Sequence, residues 1–222
     1  MDILWLRIPK HSGDPTRQLG WVRTGHMVIL LDRGDYWQCA FVIPKGGFDQ
    51  VRQRGLDVFR AEIVRLAPHF ADRIGEIGDW HDVSLLTVAV DRLRRWHRPG
   101  LLCIGDAAHA MSPIGGVGIN LAVQDAVAAA NILAEPLRRG TPGDIDLAAV
   151  ERRRTFPTRA TQALQVFIQN RVIGRVLASG ATPSPPPALR LLGRFPILQR
   201  LPARLVGLGF RPEHIATPEA PR

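Results

Sequence analysis

The stretch Leu101–Asn120, LLCIGDAAHAMSPIGGVGIN, runs an apolar segment into one aspartate, one histidine, a proline and three glycines. Four consecutive apolar residues, Leu101–Ile104, read as a strand buried on both faces of a parallel sheet. Gly105 and Asp106 then fall at its carboxyl end, where open α/β sheets bind their ligands, and Gly105 lets a neighbour come close to the backbone. A carboxylate at neutral pH only accepts hydrogen bonds, so Asp106 suits a ligand that offers hydroxyl donors, such as a sugar or ribityl chain. In Pro113–Asn120 the glycines permit positive φ and let backbone amides converge just before a long helix. The positive end of that helix favours a ligand that becomes negative, by about 0.3–1 kcal/mol where exposed.

Reading outward, GINLAVQDAVAAANILAEPLRRG from Gly118 is an alanine-rich helix, apolar around much of its circumference and therefore expected to be buried. Upstream, apolar runs at 27–31 and 39–43 flank DRGD and predict a β-hairpin. Val51, Leu56, Phe59, Ile63 and Leu66 stand near helical spacing, with Gly55 as a flaw and Pro68 as the stop. DVSLLTVAVDRL at 82–93 has strand composition, so residues 1–97 are expected to form a sheet with one helical cover. Residues 98–140 form the strand, loop and helix around the opening stretch. Residues 141–222 are expected to be helical, with a break near Pro157, a stiff connector in SGATPSPPPALR, and short helices interrupted by Pro196, Pro202 and Pro212.

A chain of 222 residues with 45% hydrophobic content can bury a substantial core, which excludes disorder as the default. No run of about 18 apolar residues and no signal-peptide pattern appears, so a cytoplasmic protein without an integral membrane segment is expected. Cys39 and Cys103 lie in separate apolar runs without metal-ligand spacing and read as reduced core residues. The net charge of +9 resides wholly in the C-terminal part: residues 1–137 carry 15 basic and 15 acidic side chains, 138–222 carry 14 and 5. Its arginines are dispersed, with RRR at 152–154 the longest run and no interleaved aromatics, so a solvated face is expected and not a nucleic-acid site.

GDAAHAMSPIGGVGINLAVQDA resembles the second FAD-binding motif of the class A flavoprotein monooxygenases, the aromatic-hydroxylase and ubiquinone-biosynthesis hydroxylase group. The elements of that pattern are Gly105, Asp106, Ala107, Ala108, His109, Pro113, Gly116, Gly118, Asn120, Asp125 and Ala126. The resemblance implies a mixed α/β fold of the glutathione-reductase FAD-binding type, with a substrate-domain sheet and C-terminal helices. It implies that Asp106 bonds the ribityl chain of FAD. Backbone groups from Pro113 through Gly116, Gly118, Ile119 and Asn120 would flank the isoalloxazine, with Pro113 beside the ring. It also implies hydroxylation of a small aromatic substrate with NAD(P)H and dioxygen.

The resemblance covers the C-terminal half of such a protein. The N-terminal βαβ unit with its G-x-G-x-x-G turn is absent from these residues, which points to a truncated gene, a split enzyme completed by another chain or a homodimer, or a non-catalytic remnant that binds a partner. A hydrolase triad of Asp106, His109 and Ser112 is rejected, because the three lie within seven residues and no G-x-S-x-G elbow is present. His109 is expected to orient the loop, and Asp125 to be structural.

Overall fold

The computed structural model describes residues 1–15, 19–23, 25–178 and 195–217. Their contacts form two compact units, Met1–Val88 with Gln169–Ser184, and Ala89–Ile168 with Pro185–Arg222. The connector SGATPSPPPALR lies outside the described residues.

The first unit is built on a five-stranded antiparallel sheet in the order β2-β3-β4-β1-β5. Its strands are β1 (Asp2–Pro9), β2 (Leu19–Arg23), β3 (His26–Asp32), β4 (Tyr36–Ile43) and β5 (Ser84–Leu86). The expected hairpin is β3–β4, with Leu30 opposite Cys39. Its turn closes because Gly34 takes φ 93° and donates its amide to Asp32 Oδ1 at 2.9 Å. Side chains alternate along each strand, so Leu4, Leu6, Ile8, Val28, Leu30, Trp37, Cys39, Phe41 and Ile43 share one buried face. Helices α1 (Phe48–Gln53) and α2 (Leu56–Leu66) cover it through Val51, Phe59, Ile63 and Leu66. Burial pushes the Cys39 thiol up to about 12, so this cysteine is inert.

Two expectations for this region need correction. The single helix divides at Gly55, whose φ of 90° is outside the helical region. The strand expected over 82–93 is cut after Leu86, because the Val88 amide donates to the Asp2 carboxylate at 3.0 Å and not to a ladder partner.

In the second unit, β6 (Asp91–Arg92) pairs with β9 (His109–Ala110), and β7 (His97–Arg98) with β8 (Leu101–Leu102), both antiparallel. Helices α3 (Gly118–Arg139) and α4 (Asp144–Ile168) follow. A π turn at Gln169–Ile173 and α5 (Gly174–Ala178) belong to the first unit, and α6 (Pro196–Leu208) to the second. A small core of Leu133, Leu147 and Val150, with Leu102, Ala129 and Ile132 against it, holds α3 to α4.

Here the sequence expectation of a buried parallel strand is wrong. The described strand is two residues long, and Leu101 is 55% exposed. A tight turn at Gly100, with φ 75°, folds β7 back onto it, so its pairing is antiparallel. Nor is α3 buried all round: Leu121, Asp125, Ala128 and Leu133 are buried, while Ile119, Val123 and Leu137 are 72%, 57% and 59% exposed. Ile114–Arg139 is long and apolar enough to cross a membrane by length and composition. Its inward face, however, carries a carboxylate bonded entirely by protein groups. Finally, α4 runs through Pro157 without the expected break. Proline removes one ladder bond, and the buried row Arg154, Pro157, Thr158, Thr161, Gln162 and Gln165 keeps the helix in place by its tertiary contacts.

Phe59 is 1% exposed and meets Phe41 edge-on at 5.2 Å. Phe59→Ala is therefore expected to destabilise the first unit by about 3–5 kcal/mol in urea denaturation.

Candidate functional site

The quoted stretch forms two short strands, two turns and the start of a helix. After β8 the chain enters a 3₁₀ turn, Gly105–Ala107, with Gly105 at φ 57°. A Cβ at Gly105 would stand 3.0 Å from the Ala122 Cβ, so the neighbour that comes close here is α3. Asp106, the next residue, is exposed and has no hydrogen-bond or ion-pair partner among the described residues. Its carboxylate is free to accept.

Pro113, half-buried at φ −66°, starts the second turn, Ile114–Gly116. The Gly116 amide donates to the Pro113 carbonyl at 3.0 Å. Gly115 and Gly116 take φ values of 78° and 63°, and a Cβ at Gly116 would meet nothing within 4 Å. The loop thus turns its backbone toward open space. Helix α3 then begins at Gly118 with no side-chain cap, which leaves the amides of Gly118, Ile119 and Asn120 without intrahelical acceptors at the positive end of a 22-residue helix. The side chain of Asn120 is already engaged, donating to the Gly207 carbonyl at 3.2 Å. That bond points the Asn120 side-chain amide nitrogen at α6, while the backbone amide of Asn120 remains at the open end of α3.

What fixes these turns is a buried carboxylate. Asp125 is fully enclosed on α3; its Oδ2 accepts from the Gly105 amide at 3.0 Å and from His109 Nε2 at 2.7 Å. Its Oδ1 accepts from Arg154 Nε at 2.7 Å. The His109 proton therefore sits on Nε2, and its ring packs against Trp96 at 5.1 Å. Burial pushes the Asp125 carboxyl up. The bonds from His109, Arg154 and Gly105 outweigh burial and hold it below the ordinary carboxylate range. Arg154 is itself fully buried and also reaches Glu213 Oε1 at 3.4 Å, while Arg153 holds both oxygens of Glu213 at 2.7 and 3.1 Å. His109 pairs with Asp125 and not with Asp106, and Ser112 Oγ accepts from the Ile114 amide at 3.4 Å, so these side chains form no triad.

Two glutamines on α4 supply the remaining supports. Gln165 Nε2 donates to the carbonyls of Ser112 at 2.7 Å and Ile114 at 3.0 Å, and Gln165 Oε1 accepts from the Ser112 amide at 3.1 Å. It thus grips the residues on both sides of Pro113. One turn earlier, Gln162 donates to the carbonyls of Asp91 at 2.6 Å and Ala110 at 3.0 Å, bracing β6 against β9. Nothing local in the sequence marks Gln162, Gln165 or Arg154 for these tasks. The only trace is their spacing of three or four residues along one face, where an amphipathic helix would carry apolar residues.

The FAD binding domain family model matches residues 17–164, which include every part of this site up to Gln162. The chain belongs to that family. It is 36% identical over 210 residues to 6-methylpretetramide 4-monooxygenase of Streptomyces rimosus, a match covering 92% of this chain and 48% of the relative. It is 39% identical over 117 residues to kynurenine 3-monooxygenase of Stenotrophomonas maltophilia, covering 47% of this chain and 24% of that protein. The chain thus spans about half the length, or less, of these curated relatives. Among solved structures, a probable FAD-dependent monooxygenase from Pseudomonas aeruginosa aligns with a TM-score of 0.63 at 21% identity, over 80% of this chain and 50% of that one. A flavin-dependent brominase aligns at 0.64 with 15% identity, over 93% and 50%. These two alignments show the fold. The mixed α/β architecture is that of part of the FAD-binding monooxygenase fold.

The residues present fit the family's cofactor: an unpaired, exposed carboxylate at Asp106, open space over Gly116, and three uncapped amides at the start of α3.

Asp125→Asn would leave Arg154 buried beside a neutral amide, and is expected to cost about 3–5 kcal/mol by chemical denaturation. Because the folded-state carboxyl of Asp125 is held down, its contribution is fully present above the unfolded carboxylate range and is lost as pH falls below it. Denaturation between neutral pH and pH ~3 should therefore show the wild-type advantage over Asp125→Asn shrinking with acid. Gln165→Leu removes both donors and the acceptor around Pro113. It is expected to raise amide hydrogen exchange at Ser112 and to cost about 1–3 kcal/mol.

Proposed function

We propose that this chain is the ribityl- and isoalloxazine-binding part of an FAD-dependent monooxygenase that hydroxylates a small aromatic substrate, with NAD(P)H as reductant. The observation that carries the reading is the presence of a free carboxylate, Asp106, and the uncapped amides at Gly118–Asn120 on two successive turns braced by Asp125 and Gln165. Asp106 accepts from ribityl hydroxyls. The loop from Pro113 to Gly116 would hold the ring, and the amides of Gly118, Ile119 and Asn120 would favour negative charge beside them. When bound, FAD supplies the hydride-accepting and dioxygen-activating chemistry. The sheet of the first unit takes the substrate-domain role. The reading places the protein in the cytoplasm, where nicotinamide nucleotides are available.

A partner belongs to the same reading. The chain spans 48% of its Streptomyces rimosus relative, and α3 leaves Ile119, Val123 and Leu137 uncovered. An N-terminal-half chain carrying the G-x-G-x-x-G unit, or a second copy, would cover them.

The test is an FAD titration, followed by flavin fluorescence and visible absorbance, of the chain alone and mixed with the N-terminal half of that relative. Binding is expected, with Asp106→Ala weakening it by about tenfold or more, as for hydrogen bonds to a charged group. A folded chain that binds no FAD in either setting, or an Asp106→Ala variant that binds as tightly as wild type, would overturn the reading.

A further inference from the structure

We propose that the groove between β6 and α4 is a binding site for a phosphorylated small molecule of nucleotide size. Arg92 and Arg94 enter it from one side, Arg152 and Arg159 from the other, with Trp96 at its base and Phe156 at its rim. It consists of two adjoining hollows of about 460 and 640 Å³ that share Thr155 and Arg159. That is the size range of small-ligand sites.

Among the described residues no acidic side chain balances the arginines of this groove. No aspartate or glutamate lines either hollow. Among the described residues Arg94, Arg152 and Arg159 have neither a hydrogen-bond nor an ion-pair partner. Of the neighbouring acids, Glu151 is taken by the Trp96 amide at 2.9 Å and His97 Nδ1 at 2.6 Å, and Asp91 is an exposed residue of β6. The RRR run at 152–154 is divided by the helix: Arg153 and Arg154 turn to Glu213 and Asp125, while Arg152 lines the groove. Arg152, Thr155, Phe156 and Arg159 then share one face of α4 at spacings of three, four and seven.

Three like charges, Arg92, Arg94 and Arg159, line one hollow, and Arg159 with Arg152 lines the other; such charges repel each other, and a multiply charged anion relieves that repulsion. Guanidinium groups bind phosphate oxygens in pairs, which makes phosphate a better match than a single carboxylate. Arg92 is oriented in advance, since its NH1 donates to Gln162 Oε1, a neutral acceptor, at 2.8 Å. Phe156 is 59% exposed and offers a ring face on which a base can stack. Along α4 the lining continues to Ala160 and Ala163, which carry no charge.

The experiment is calorimetric titration of the full chain with pyrophosphate and with ADP at an ionic strength of about 50 mM, without flavin. ADP is expected to bind more tightly than pyrophosphate. The double variant Arg94→Ala/Arg159→Ala should lose about tenfold or more in affinity, and Arg204→Ala on α6 and Asp106→Ala should lose none. NADPH in competition tests one source: displacement of ADP at concentrations comparable to ADP's own admits the reductant as the ligand, and no displacement excludes it. The proposal is overturned if a folded chain binds neither probe. It is equally overturned if the double variant binds as wild type, if Arg204→Ala loses as much, if Asp106→Ala abolishes ADP binding, or if duplex DNA binds where nucleotides do not. Because no FAD is present, these outcomes are independent of whether the flavin reading holds.

Discussion

An ionised carboxylate taken out of water costs several kcal/mol unless its oxygens are bonded by the protein, and in the second unit that carboxylate is Asp125. Its three donors come from three different places in the chain: the amide of a turn, a histidine at the end of that turn, and an arginine on the next helix. Each donor can be supplied only if its own element lies in one position. The turn at Gly105 is held against α3 for this reason, and the absence of a side chain on Gly105 is required because Ala122 lies only 3.0 Å from where a Cβ would be. Arg154 carries the constraint onward to Glu213, and Glu213 to Arg153, so the residues after α6 are fixed by the same charge.

The neutral supports follow the same logic at lower energy. Strands β6 to β9 are two residues each, far too short for their ladders to be stable alone. Gln162 and Gln165 supply the missing bonds from the side, each satisfying backbone groups that would otherwise be buried without partners. The C-terminal segment is attached in a similar manner: Asn131 donates to the His214 carbonyl at 2.7 Å and accepts from the Ala216 amide at 2.8 Å. Helix α4 therefore acts as a ruler, and its polar inward face is the price of holding irregular backbone in a set shape.

Local patterns were readable where local physics decides. The β3–β4 hairpin, the helical cover of the sheet and the glycine loop before α3 all rest on turn chemistry and periodicity within a few residues, although the division of that cover into two helices at Gly55 was not foreseen. The parts that were not readable depend on distant partners. Leu101–Ile104 has the composition of a parallel core strand, yet the turn at Gly100 gives it an antiparallel neighbour and leaves Leu101 exposed. Pro157 has the local signature of a helix break, which the contacts of α4 override. Asp125 and Arg154 are 29 positions apart, and no spacing rule connects them. Asn120 illustrates the mixed case: its place in the loop was legible, whereas the engagement of its side chain by Gly207 was not.

Every group that sets the loop is contained in the second unit. The donors to Asp125, the grip of Gln165 on Ser112 and Ile114, and the attachment of Asn120 and Gln124 to the end of α6 all lie between residues 89 and 217. The position of Asp106 and of the α3 N-terminus is therefore determined without help from any pyrophosphate-binding unit. A ligand meeting this loop finds the groups already ordered, and the entropy of arranging them is not charged to binding. That division explains how a chain spanning half the length of its relatives keeps this loop in a set shape.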